Sequence, residues 1–150
     1  KKNGRKILIA KPDEKPMKFY GYDLDIWLQH TIDTIKKHTD RPIEVRERAP
    51  KREDRVLSRP LKEALKDDVF ALVTYNSVAA TEAIMNGIPA FTLAPCNAAS
   101  PVAGQDLTKI DTPYYPDPDK LYAWVCHLAY GQFHNSELTS GAALTALTEL

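Results

Sequence analysis

The chain has 150 residues and a mass of 16.8 kDa, with 20 Lys+Arg against 20 Asp+Glu and a pI near 7.1. That length suits one domain with a real core, and zero net charge excludes the global basic field of a nucleic-acid-binding domain. Its two cysteines, Cys96 and Cys126, form no CxxC and stand at no metal spacing with the four histidines His30, His38, His127 and His134. A disulfide framework or structural zinc is therefore not expected, and a reducing, cytoplasmic compartment fits. No apolar run reaches the ~18–20 residues of a membrane span, and KKNGRK leads into too short an apolar stretch for a signal peptide. A first residue other than Met is what a processed product, a fragment or a domain cut from something longer would show.

Lys6–Ala10 (KILIA) reads as a buried first strand, and Lys11–Gly21, with two prolines, as a loop. Asp23 or Asp25 can cap a helix whose apolar positions Leu24, Trp27, Leu28, Ile32 and Ile35 repeat near 3.6 residues. Ile43–Arg48 alternates as a strand with one polar side, and Ala49–Arg59 is a charged loop. Pro60–Lys66 suits a short helix with proline in its first turn. Val69–Ala94 is the most informative stretch: buried strand to Thr74, polar turn, small-residue helix, Gly87-Ile88-Pro89, and a second buried strand from Ala90 to Leu93. Ala98–Pro118 reads as a surface loop. Asp117 or Asp119 then caps a helix carrying Leu121, Trp124, Val125 and Leu128, and Asn135 or Ser136 caps a last helix with Leu138, Leu144 and Leu147. The order β-α-β-α-β-α-β-α-α predicts an α/β, Rossmann-like open parallel sheet with helices on both faces and two helices at the C-terminus, as one domain over 1–150. Leu8, Val45, Leu72, Val73, Phe91, Trp124 and Leu128 are the expected core residues.

In such a sheet ligands bind at the carboxyl ends of the strands. The turn Tyr75-Asn76-Ser77 lies there, and Asn76 and Ser77 are both good N-caps. Capping alone would explain them. A functional reading adds that free N–H groups of Ser77, Val78 and Ala79, with the Ser77 hydroxyl, hold a phosphate or diphosphate at the helix start. Glu82 lies five residues past Ser77, about 7.5 Å along a helix axis, where it could accept hydrogen bonds from a ribose. An early-helix acid also simply suits the dipole. The run Arg46-Glu47-Arg48-Ala49-Pro50-Lys51-Arg52 opens onto the same edge; Arg46, Arg48 and Lys51 could pair with phosphate oxygens, or belong to a solvated charged loop. Lys11 projects at this edge too. There is no GxSxG, GxGxxG or P-loop motif, no clustered carboxylates for a metal, and no acid–base pair beside either cysteine.

Ser77-Val78-Ala79-Ala80-Thr81-Glu82-Ala83 followed by Gly87-Ile88-Pro89 resembles the Ser-x-x-x-x-Glu-Ala and Gly-x-Pro pattern of the donor-binding, C-terminal half of GT-B glycosyltransferases, nearest to the capsule-synthesis and phage types. Pro42–Arg48 with Ala49-Pro50-Lys51 is similar to the segment that offers basic residues to the donor. The resemblance implies that Asn76, Ser77, Val78 and Ala79 hold the diphosphate of a nucleotide sugar, Glu82 its ribose, and Arg46, Arg48 or Lys51 the phosphate charge. It implies no metal or other cofactor, a complementary N-terminal-type domain or chain that binds the acceptor, and no catalytic residue that can be named in this chain. The alternative is a non-catalytic interaction or structural module that keeps the fold. Nucleic-acid contact through Arg41–Arg59 is a third and lesser expectation.

Overall fold

The computed structural model describes residues 4–47, 59–94 and 96–148. The chain forms two compact units, Lys1–Pro116 and Asp117–Leu150. The first is an α/β, Rossmann-like unit built on four parallel strands, β1 (Lys6–Ala10), β2 (Ile43–Arg46), β3 (Val69–Thr74) and β4 (Ala90–Thr92), in the order β2-β1-β3-β4. β1 and β3 are interior strands. Both faces of each must be apolar, which is why KILIA and VFALVT are nearly continuous apolar runs.

The register places Ile7 beside Ala71, Ile9 beside Val73 and Val73 beside Phe91. These five side chains form one buried face, covered by Trp27 and Ile35 of α2 (Leu24–Lys36) and by Met17 of α1 (Glu14–Phe19). Leu8, Leu72 and Ala90 form the opposite face and are equally closed off. The helix packed on β3 and β4 is α4 (Ala79–Met85), which buries Ala79, Ala80, Ala83 and Ile84. A short α3 (Leu61–Ala64) precedes β3. Asp23, rather than Asp25, caps α2, its carboxylate accepting the Asp25 and Ile26 N–H groups at 3.0 Å each.

Several elements differ from the sequence expectation. The loop after β1 contains α1, because Pro16 falls in its first turn, where a missing N–H costs nothing. Val45 is 36% exposed rather than buried, since β2 is an edge strand paired only with β1. The stretch 98–118 is no simple surface loop: two short 3₁₀ turns, Ser100–Val102 and Leu107–Lys109, bury Val102, Leu107 and Ile110. Those apolar residues are too widely spaced among prolines to register as a periodic element.

The second unit is helical. Asp117, rather than Asp119, caps α5 (Pro118–Tyr130), with Pro118 at its first position. Trp124 is buried there and Leu128 is half-buried. The last expected helix is divided in two, α6 (Asn135–Ser140) and α7 (Ala142–Thr148), by Gly141 at φ 81°. Its cap is His134, not Asn135 or Ser136: the Glu137 carboxylate accepts the His134 N–H at 2.7 Å. Leu138, Leu144 and Leu147 are exposed.

Two contacts of the first unit generate tests. Gly104 bridges to β4, donating to the Ala90 carbonyl at 2.8 Å and accepting the Thr92 N–H at 2.9 Å. A Cβ on Gly104 would stand 2.7 and 2.8 Å from atoms of the buried Phe91 ring. Gly104→Ala is expected to destabilise the unit by about 1–3 kcal/mol, as overpacking does; urea denaturation should show a lower midpoint at unchanged slope. Thr74 is fully buried, and its hydroxyl donates to the Ala10 carbonyl at 2.9 Å, tying the end of β3 to the end of β1. Thr74→Val keeps the shape and deletes the donor, together with the oxygen that accepts the Ser77 N–H at 3.4 Å. It should lower stability by about 1–3 kcal/mol, the cost of stranding a buried acceptor, and a variant as stable as the wild type would refute the tie.

Candidate functional site

Ala10 and Thr74 are register partners at the carboxyl ends of neighbouring strands. Beyond them the chain parts. After β1 it runs through Lys11, Pro12 and Asp13 into α1 and α2 on one face; after β3 it runs through Tyr75–Val78 into α4 on the other. Such a parting cannot be filled by either connection, and it is where ligands bind in open α/β sheets. A cleft of about 570 Å³ occupies it. Lys11, Asp13 and Pro16 line one wall, Asn76, Ser77, Val78, Ala79 and Glu82 another, and Arg46, Pro60 and Leu61 a third.

The turn after β3 is held from several sides. Tyr75 is buried, its ring edge-on to Tyr20, Tyr22 and Trp27 at centroid distances of 5.7, 5.5 and 6.1 Å. Burial pushes its phenol pKa above the ordinary value, with the neighbouring tyrosines adding to the shift. The Tyr75 carbonyl accepts the Ala94 N–H at 2.9 Å. Asn97 Nδ2 donates to the Ser77 carbonyl at 3.3 Å.

Within the turn the structure corrects the expected cap. Neither Asn76 nor Ser77 caps α4: the helix starts at Ala79, and the cap position is Val78, in helical conformation and without a side-chain hydrogen bond. The Ser77 hydroxyl instead accepts the Ala79 N–H at 3.2 Å, and the Ser77 N–H donates to Thr74 Oγ1 at 3.4 Å. Two of the three N–H groups expected to be free are thus engaged internally. Among the described residues, the Val78 N–H remains without a partner.

The charged groups come from three elements. Arg46, at the end of β2, is half-buried and donates from Nη2 to the Arg59 carbonyl at 3.0 Å. That bond aims the guanidinium while leaving its other N–H groups, and Arg46 forms no ion pair among the described residues. Lys11 Nζ lies 2.7 Å from Glu47 Oε1. That hydrogen bond holds the ammonium pKa above its ordinary value, against burial acting the other way. Glu82 is exposed on α4, one turn into the helix, and forms no ion pair among the described residues.

Of the residues singled out in the sequence, Asn76, Ser77, Val78, Ala79, Glu82 and Arg46 all line this one cleft, with Lys11 beside them. Arg48 and Lys51 lie outside the described residues. Asp13, Pro16, Pro60 and Leu61 were missed. Asp13 could have been found from its place directly after a buried strand; Pro60 and Leu61 come from a distant connection and carry no local signal. The cleft can hold an anion against Arg46 and hydroxyl groups against carboxylates. Among the described residues no group of three or more His, Cys, Asp or Glu side chains could hold a metal ion, and no helix is long and apolar enough to cross a membrane.

No protein-family model matches the chain, and no curated protein or solved structure matches it either.

Proposed function

We propose that this chain is the donor-binding half of a GT-B-type glycosyltransferase, which works in the cytoplasm with a complementary N-terminal-type domain or chain. The observation that carries the reading is the cleft: residues from the β3–α4 turn, from α4 and from the end of β2, each a candidate on sequence grounds alone, share one cavity at the parting of β1 and β3. In glycosyl transfer the bond between the anomeric carbon and the diphosphate oxygen breaks, and an acceptor oxygen bonds to that carbon. The acceptor's proton passes to a base, which this reading assigns to the complementary domain. The leaving diphosphate gains charge, and a fixed guanidinium stabilises it. Arg46 and the Val78 N–H serve that role here. Glu82 takes the ribose hydroxyls.

A non-catalytic interaction module is the second reading. It is favoured by the engagement of the Ser77 and Ala79 N–H groups within the turn, which leaves a thinner phosphate cradle than a helix start can offer.

Calorimetry separates the two. Millimolar UDP, GDP, ADP or CMP, or their sugar conjugates, should bind and raise the melting temperature if a donor site exists; no heat from any of them would leave the interaction module standing. Arg46→Ala should weaken nucleoside diphosphate binding by about 1.5–3 kcal/mol, the range for a hydrogen bond to a charged group, and barely alter nucleoside binding. Glu82→Ala should weaken nucleotides and nucleosides alike by about 1–3 kcal/mol. Its melting temperature should stay close to wild type, because an exposed helix acid contributes only a few tenths of a kcal/mol.

A further inference from the structure

The loop that follows β4 reaches back to the turn that follows β3. The backbone ladder runs on past the strand ends: the Leu93 N–H donates to the Thr74 carbonyl at 3.0 Å and the Ala94 N–H to the Tyr75 carbonyl at 2.9 Å. The next tie among the described residues comes from a side chain. Half-buried Asn97 donates from Nδ2 to the Ser77 carbonyl at 3.3 Å. Ser77 lines the cleft and Asn97 does not.

Both partners of the Asn97 amide demand the same orientation. The Ala99 N–H can only donate, and it meets Oδ1 at 2.8 Å; the Ser77 carbonyl can only accept, so it must face Nδ2. The base of the side chain is also fixed. The Asn97 N–H donates to Ser100 Oγ at 3.3 Å, and Ser100 Oγ lies 3.2 Å from the hydroxyl of Thr92, buried at the end of β4. Ala99 is buried as well. At the far end, the Ser77 carbonyl and the Val78 N–H belong to one planar trans peptide, so a hold on the carbonyl sets the direction of the N–H. The Ala80 N–H also reaches this carbonyl, at 3.2 Å, which leaves the start of α4 bonded if Asn97 lets go.

We propose that Asn97 is a positioning residue for the cleft. It never meets the ligand; it carries the rigidity of the β4 end to the peptide between Ser77 and Val78 and so fixes the wall that the β3–α4 turn gives the cleft. The consequence for binding rests on the donor reading, in which this turn meets the diphosphate.

Two variants and two measurements on the full chain test it. Asn97→Asp keeps the bond to Ala99 and turns an acceptor on the Ser77 carbonyl; Asn97→Ala removes the side chain without adding charge, so agreement between them isolates the lost donor. Amide ¹⁵N relaxation should show the Val78 order parameter falling from the rigid range, about 0.85, toward about 0.6 in both, with Leu93 and Ala94 unchanged. Calorimetry with UDP and uridine, GDP and guanosine, and ADP and adenosine should show the diphosphate that the wild type binds weakened about threefold to tenfold, the range for one hydrogen bond, and its nucleoside unchanged. A Val78 amide as rigid in both variants as in the wild type would overturn the hold on the turn, whatever binds. Equal losses for diphosphate and nucleoside, or none, would overturn the role in binding and leave the donor site intact. A wild type that binds no diphosphate would overturn the donor reading and, with it, the role in binding; the relaxation result decides the hold on the turn by itself.

Discussion

Everything at the candidate site depends on β1 lying between β2 and β3. Because the strands are parallel, the connections leaving β1 and β3 start from the same edge, and because each needs its own face of the sheet, they leave in opposite directions. Two buried faces on a central strand demand that Ile7 and Ile9 point one way and Leu8 the other. Once that is met, a gap at the edge is unavoidable, and the chain has only to furnish its walls. The Thr74–Ala10 hydrogen bond joins the ends of the two strands where their connections part.

The two ends of the sheet are treated differently. At the amino edge Lys6 is bonded to both Glu44 and Asp67, Asp67 also to Arg59, and Arg5 to Asp68. Lys6 first, then Arg59, hold the Asp67 carboxyl below its ordinary pKa. These charges are consumed by one another. At the carboxyl edge, by contrast, Lys11–Glu47 is a pair, while Asp13, Glu82 and Arg46 face the cleft without one among the described residues. Exposed pairs add little stability, so the contrast concerns availability: among the described residues the charges of the amino edge answer one another, while three at the carboxyl edge do not.

What could be read in the sequence follows from which forces act locally. Interior strands must be apolar on both faces, so β1 and β3 stand out as runs, and α2 shows its 3.6-residue period because one stripe meets the core. The burial of Val45 was misjudged because an edge position is a property of the sheet and not of the alternating Ile43–Arg46 pattern. The turn chemistry of Ser77 was half legible: a serine before a helix does bond a backbone N–H, but Thr74 and the buried Tyr75 ring set the turn one residue away from the expected geometry. Asp13 lies three residues past β1, a position that points to the carboxyl edge of the sheet, whereas its lack of a bond to the α1 backbone shows only in the structure. That Arg46 and Glu82 line one cleft is a product of topology, since the whole of β3 separates them in the chain.

Gly104 has a consequence beyond packing. By taking the Thr92 N–H and the Ala90 carbonyl, it occupies the outward-facing groups of β4 with a single backbone contact. A strand from another molecule would find those positions filled, so sheet extension on that side would first require the Gly104 bridge to open. On the opposite side β2 presents Glu44 and Arg46, charges that a flat, apolar strand cannot accommodate. The open sheet is thus guarded at one margin by a glycine lacking the atom that would spoil the contact and at the other by charge. The same small residue that lets Phe91 fill the core also closes that margin of the sheet to edge-to-edge pairing.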